Sequence, residues 1–367
     1  MGYLDKIWHG NVIFEEPICF SNDANGNPIG GTLLYPPQSI QSVTSYDGKI
    51  HYVAGKDYVL EGQSLRRLSG SRIPFLPRDT YCKPYTGIQQ TDWVRLPGGK
   101  EYMDVVDQVY QYQVLVTYDY DAIWQGEAPH ADPQRLSAVR RKLESGENIN
   151  LVFYGDSITA GWEASGANED AIDMVTLKPY AVSIQHPPYL PAWAELVTNS
   201  LRKHYPTAHI QKYNRAAGGS TTQWGVLHAK ELVCPCQPDL VILAFGMNSM
   251  QENPEIYQEK MASIIKTVRK SSPDCAFLLV SPMIPNPEIA GFQNNQLQNH
   301  ERALKDICRE DPNTDIAPVH SVFCQLQRMG KQYLELTGNC INHPNDFSVR
   351  IYAQTVLSVL LPEVADT

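Results

Sequence analysis

Ile149-Asn150-Leu151-Val152-Phe153-Tyr154-Gly155-Asp156-Ser157-Ile158-Thr159 is the stretch whose reading decides the fold. Its first six residues form an apolar run of strand length, and a polar turn closes it at Gly155. Two more runs have the same form. Asp239-Leu240-Val241-Ile242-Leu243-Ala244-Phe245 leads into Gly246-Met247-Asn248-Ser249, and Ala276-Phe277-Leu278-Leu279-Val280 follows later. Weaker strands are predicted at 209–213 and 315–319. Helical spacing is predicted near 191–204, 222–233, 254–270, 293–309 and 347–360. Upstream, Pro133 is read as opening a helix with Leu136, Val139, Arg140 and Leu143 at helical spacing, ending near Gly146. Strands alternating with helices imply an α/β fold: a parallel sheet covered on both faces. Such sheets bind ligands beyond the carboxyl ends of their strands.

Residues 1–125 have a different texture. Short β-prone runs alternate with turn signals such as Asn25-Gly26-Asn27-Pro28, Asp47-Gly48 and Pro97-Gly98-Gly99. Over 109–120, Tyr110, Tyr112, Val114, Val116, Tyr118 and Tyr120 alternate with other residues, which predicts one long strand. The expectation is an N-terminal β-sandwich over 1–125, a linker and helix over 126–146, and the α/β domain over 147–367. Sheet packing accounts for the many tyrosines better than a sugar-binding platform does.

Composition narrows the function. Of 367 residues, 43% are hydrophobic and 19% charged, which is enough apolar material for a core. A net charge of −10 argues against nucleic acid as a partner. No apolar run reaches the ~18 residues of a membrane helix. The opening MGYLDKIWHG lacks a basic region followed by an apolar stretch, so the expected location is cytoplasmic. Only Cys234 and Cys236 of the eight cysteines lie close together, and no second pair completes a zinc site; free, mostly buried thiols are expected. Neither a phosphate loop nor a dinucleotide fingerprint is present. A homo-oligomer is compatible with all of this.

The turns carry the chemistry. Besides Gly155-Asp156-Ser157 and Gly246-Met247-Asn248, there are Asn214-Arg215-Ala216-Ala217-Gly218-Gly219-Ser220 and, late in the chain, Asn342-His343-Pro344-Asn345-Asp346. A parallel sheet brings all four to one edge. A serine hydroxyl is a weak nucleophile that needs an adjacent base, and His343 supplies one. A glycine amide and an asparagine side chain are suitable donors to an oxyanion.

These four blocks resemble those of the SGNH hydrolases, the GDSL-type esterase superfamily, over about residues 147–362. The resemblance implies a three-layer α/β/α, flavodoxin-like hydrolase domain. It places the nucleophile at Ser157, the base at His343, and the oxyanion hole at the Ser157 amide, Gly219 and Asn248, with Gly218 a rival to Gly219. No cofactor and no metal are implied. Relatives with an N-terminal β-sandwich or jelly-roll module resemble carbohydrate acetylesterases. The expected activity is therefore removal of small acyl groups, acetyl foremost, from an acetylated carbohydrate. A lipase, arylesterase or thioesterase of the same superfamily, or a non-catalytic carbohydrate-binding protein, are the alternatives.

Two positions depart from the resemblance. Ser249 stands where aspartate usually follows the asparagine. Cys340 stands three residues before the histidine, where relatives carry the acid that orients it. His343 is then expected to lean on a main-chain carbonyl or another acid. Asp346 is a candidate, although its place at a helix start favours capping. Asp156 is expected to order the serine turn through backbone hydrogen bonds. The long stretch 163–188 reads as irregular, and Trp162, Tyr189, Trp193 and Trp224 lie near the catalytic turns in sequence.

Overall fold

Val114, Val116, Tyr118 and Tyr120 share one buried face, each at most 2% exposed, as their alternation predicts. The strand they form starts later than the alternation does. Val109–Tyr112 wind into a short 3-10 helix, and only Gln113–Tyr120 are extended. Tertiary contact explains the difference: the Tyr110 ring stacks on His186 at 3.8 Å, and Tyr46 meets it edge-on. Such contacts override β propensity. Strands β1 (Val12–Cys19), β2 (Pro37–Ser45) and β3 (Gln113–Tyr120) pair antiparallel in the order β1-β3-β2. A second antiparallel sheet joins Cys82–Pro84, Glu101–Asp104 and Trp93–Arg95. The computed structural model describes residues 4–84, 93–95, 101–104, 109–289 and 291–361.

The helix before the α/β region, α1, covers Ser137–Glu144. Pro133 does not open it; the chain first turns through Leu136 at φ 52°. The apolar run at 149–154 lies within β4 (Asn148–Gly155). The stretch read as irregular contains a hairpin of β5 (Asn168–Ile172) and β6 (Pro179–Ser183). After it come α2 (Trp193–His204), β7 (His209–Asn214), α3 (Thr222–Leu232) and β8 (Leu240–Ala244). They are followed by α4 (Pro254–Arg269), β9 (Ala276–Val280), α5 (Leu297–Glu310) and β10 (Thr314–Ala317). A helix the sequence reading lacks, α6 (Val319–Arg328), precedes α7 (Asp346–Leu360).

Strands β4, β7, β8, β9 and β10 form one parallel sheet in the order β7-β4-β8-β9-β10. Counted along the chain, this is the 2-1-3-4-5 order of flavodoxin-like folds, with its switch point between β4 and β8. Alternate residues serve opposite layers. Val152 and Tyr154 of β4 pack with α3, α4 and α5, whereas Leu151 and Phe153 pack with α2, α6 and α7. The result is the expected three-layer α/β/α arrangement. Among the described residues, no helix is long and apolar enough to cross a membrane.

The hydrophobic core of the second layer continues into the N-terminal sheet, through Ile13, Ile18, Val114 and Tyr118. Polar contacts reinforce the junction. The Lys331 ammonium is fully buried, 2.7 Å from Glu16 of β1 and 3.2 Å from Glu335. Arg350 of α7 donates to the carbonyls of Phe14 and Glu15. Gln113 of β3 donates to the carbonyls of Leu334 and Thr337, and its own side-chain oxygen accepts from Asn345. The N-terminal sheet thus touches the segment that carries His343.

Candidate active site

β4 ends at the sheet's carboxyl edge, where Ser157–Ala160 make one helical turn. The Asp156 carboxylate caps it, accepting from the Ile158 amide at 3.1 Å. Ser157 is 7% exposed and lines a cleft at this edge. His343 comes from the loop before α7, and its Nε2 lies 2.9 Å from Ser157 Oγ. One side chain organises that loop. Asn339 Oδ1 accepts from the amides of Ile341, Asn342 and His343 at 3.0–3.1 Å, and the His343 carbonyl accepts from the Gly338 amide at 2.9 Å. The sequence reading did not single out Asn339; an asparagine four residues before a functional residue is its only local signal.

The two other blocks reach the same cleft. Ser157, Gly218, Gly219, Asn248 and His343 all line it. Gly219 has φ +76°, a conformation that favours glycine. Among the described residues, the amides of Ser157, Gly218 and Gly219 donate to no carbonyl or side chain. Asn248 Nδ2 uses one N–H on the Ser220 carbonyl at 3.0 Å, which leaves its second N–H. Ser249, at the position of the missing aspartate, accepts from the Thr222 amide and ties this turn to α3. Of the four aromatics near the blocks, Trp162 lines the cleft and is 38% exposed. Trp193 is core: it packs against Phe153 and Tyr352 and donates to the Ile158 carbonyl. Trp224 donates to the Met174 carbonyl in the hairpin, and Tyr189 is exposed.

The expectation about Asp346 is corrected. Asn345, not Asp346, caps α7, accepting from the Ser348 amide. The Asp346 carboxylate accepts from the Ser165 amide at 2.9 Å instead. Cys340 is fully buried in an apolar cluster with Cys19, Leu76 and Tyr81, and burial holds its thiol well above the usual range. Among the described residues, the acid nearest His343 Nδ1 is Glu163, 3.9 Å away, from the loop after the serine turn. Nothing in the sequence pattern marks Glu163. All eight cysteines are free thiols. Among the described residues, no group of three His, Cys, Asp or Glu side chains is placed to hold a metal ion.

Burial pushes the Asp156 carboxyl up to about 6, outweighing the Ile158 amide and His343, which pull it down. Folding therefore favours the protonated form. The associated stability is complete below the usual carboxylate pKa and is lost as pH rises towards 6. At pH 7 the buried charge costs at most ~3 kcal/mol. Asp156→Asn, which keeps an acceptor oxygen for Ile158, is expected to gain on the wild type in urea melts between pH 4 and 7. A difference between the two proteins that stays constant with pH would contradict this.

A hydroxyl-bearing turn at the switch point of a flavodoxin-like sheet, with an imidazole from the last loop in hydrogen-bond reach, defines a class: the acyl hydrolases. The chain belongs to the GDSL-like lipase/acylhydrolase family, which matches residues 153–348. No curated protein matches the chain. Among solved structures, it is similar to a two-domain esterase active on acetylated mannans, co-crystallised with mannopentaose. That pair shares 22% identity at a TM-score of 0.47, over 66% of this chain and 59% of the other. The chain thus spans less than two thirds of that esterase's length. It is also similar to a variant of Axe2, an acetyl xylan esterase from Geobacillus stearothermophilus, with 19% identity and a TM-score of 0.45 over 60% of this chain and 98% of the other. A third likeness is LAE5, an alpha/beta hydrolase enzyme from the metagenome of Lake Arreo, with 17% identity and a TM-score of 0.42 over 57% and 93%.

Proposed function

We propose that the protein is a serine esterase that removes acetyl groups from a carbohydrate. The observation that carries this reading is the 2.9 Å approach of His343 Nε2 to Ser157 Oγ. In the proposed reaction, Ser157 Oγ attacks the ester carbonyl carbon while Nε2 takes its proton. The carbonyl oxygen becomes an oxyanion, held by the Ser157 and Gly219 amides and the second N–H of Asn248. Collapse breaks the bond to the sugar oxygen, which leaves with the proton from His343. Water, deprotonated by His343, then cleaves the acyl-serine, releasing acetate and restoring Ser157. The aromatic faces of Trp162 and Tyr180 on the cleft wall suit a sugar ring.

The hairpin tip favours a second reading. Met174 and Val175 line the same cleft and are 40% and 82% exposed, an apolar rim suited to a longer acyl chain. Two substrate series separate the readings: acetylated oligosaccharides, and aryl esters of increasing chain length. For the acetylesterase, kcat/KM is expected to be highest for acetyl and to fall by at least about tenfold by octanoyl, which corresponds to about 1.4 kcal/mol of lost fit. A rise towards octanoyl, with acetylated oligosaccharides inert, would establish the lipase reading instead.

A further inference from the structure

We propose that Glu163 is the carboxylate that orients His343, replacing the acid absent at position 340. This rests on the reading of Ser157 and His343 as the working pair. Four observations meet at this residue. Among the described residues, His343 Nδ1 is buried without a hydrogen-bond partner, although an imidazole that serves as base needs its second nitrogen held. The Glu163 carboxylate is the nearest acid, 3.9 Å from that nitrogen, and it makes no hydrogen bond among the described residues. Glu163 itself sits at φ +70°, left-handed backbone that non-glycine residues rarely adopt and that tends to persist where function demands it. Finally, Gly338 leaves the space the side chain occupies: a Cβ there would stand 2.8 Å from Glu163 Cβ and 3.2 Å from Oε2.

Cys340 is no competitor, because its sulfur belongs to the apolar cluster behind the loop. Asp346 is engaged with the Ser165 amide. Glu163 reaches Nδ1 from the nucleophile's own loop, so one short segment supplies both the serine and the acid. Closure by roughly 1 Å turns the approach into a charge-assisted hydrogen bond, and catalytic hydrogen bonds that are long at rest commonly tighten when substrate is bound. Glu163 acts through His343 and is a positioning residue.

The test compares Glu163→Gln, Glu163→Ala, Cys340→Ala and Ser157→Ala on an aryl acetate. Glu163→Gln, which fills the same space without the charge, is expected to lower kcat by about 10²–10⁴-fold, with KM within about threefold of wild type. Formate added to Glu163→Ala is expected to restore rate in proportion to its concentration, a response that a purely structural role does not give. Cys340→Ala is expected to retain most activity. Glu163→Gln within threefold of the wild-type kcat would overturn the proposal, as would a folded Glu163→Ala indifferent to formate. If Glu163→Ala does not fold, the glutamine variant decides alone. A Ser157→Ala enzyme that stays active would sink the reading of the site itself. A dead Ser157→Ala beside a normal Glu163→Gln would sink only the role of Glu163.

Discussion

Ser157→Ala is expected to lose essentially all ester hydrolysis while the chain remains folded. Among the described residues, the only side-chain hydrogen bond of the Ser157 hydroxyl is with His343 Nε2, and the serine turn is held by other groups. Asp156 still caps it, Trp193 still donates to the Ile158 carbonyl, and the turn's own carbonyls keep their partners. Removing one oxygen at the cleft therefore costs less than ~1 kcal/mol of stability. The chemical cost is far larger, because among the described residues Ser157 supplies the one hydroxyl hydrogen-bonded to Nε2. A nucleophile deleted from such a unit lowers kcat by several powers of ten. The check is turnover of an aryl acetate beside a thermal melt. A folded mutant that keeps a tenth of the wild-type rate would remove Ser157 from the mechanism.

The second large effect concerns stability. Lys331→Met is expected to cost ~3–5 kcal/mol, the loss typical when one partner of a buried ion pair is deleted. Lys331 is wholly buried, and its Nζ contacts Glu16 at 2.7 Å, Glu335 at 3.2 Å and the Pro17 carbonyl at 2.8 Å. Burial alone would lower its pKa, but the two carboxylates outweigh that and hold the ammonium above its usual value. Without it, two buried carboxylates face each other. Glu16 still accepts from the Leu34 amide and the Tyr118 hydroxyl, so the cost is mainly uncompensated charge and not lost geometry. Adding Glu16→Gln and Glu335→Gln to Lys331→Met should then recover most of the loss. Urea denaturation provides the measurement. A Lys331→Met protein within about 1 kcal/mol of wild type would show that the pair contributes little.

Much of this was legible in the sequence wherever a local pattern carried it. The runs in β4, β8 and β9 are apolar throughout because both faces of the sheet are covered, and they leave no other reading. Gly155-Asp156-Ser157 and His343-Pro344 were recognisable as blocks, and the fold brings their side chains to 2.9 Å. What escaped depends on distant partners. Tyr110 continues an alternating pattern, yet its ring stacks on His186, and so the strand begins three residues later. Lys331 reads as an ordinary surface charge until Glu16, 315 positions earlier, is placed against it. Glu163 has no motif at all; its approach to His343 requires a left-handed backbone and a glycine at 338. The cap of α7 lies one residue before Asp346, because asparagine and aspartate compete for the same place and Asn345 takes it.

The contact between β1 and the segment before His343 has a consequence for the order of synthesis. On the ribosome, the first strand emerges some 300 residues before Lys331, Glu335 and Arg350, which supply its charge partner and cover its carbonyls. Until then, among the described residues, Glu16 has no buried cation to pair with, and the N-terminal sheet lacks the contacts from Arg350. The sheet is thus not complete when its own strands have been made, in contrast to domains that fold as units during synthesis. Its partners lie in the segment 331–350, which also carries the loop that holds His343. A nascent chain therefore gains the cation that pairs with Glu16 and the histidine that faces Ser157 from one stretch of sequence.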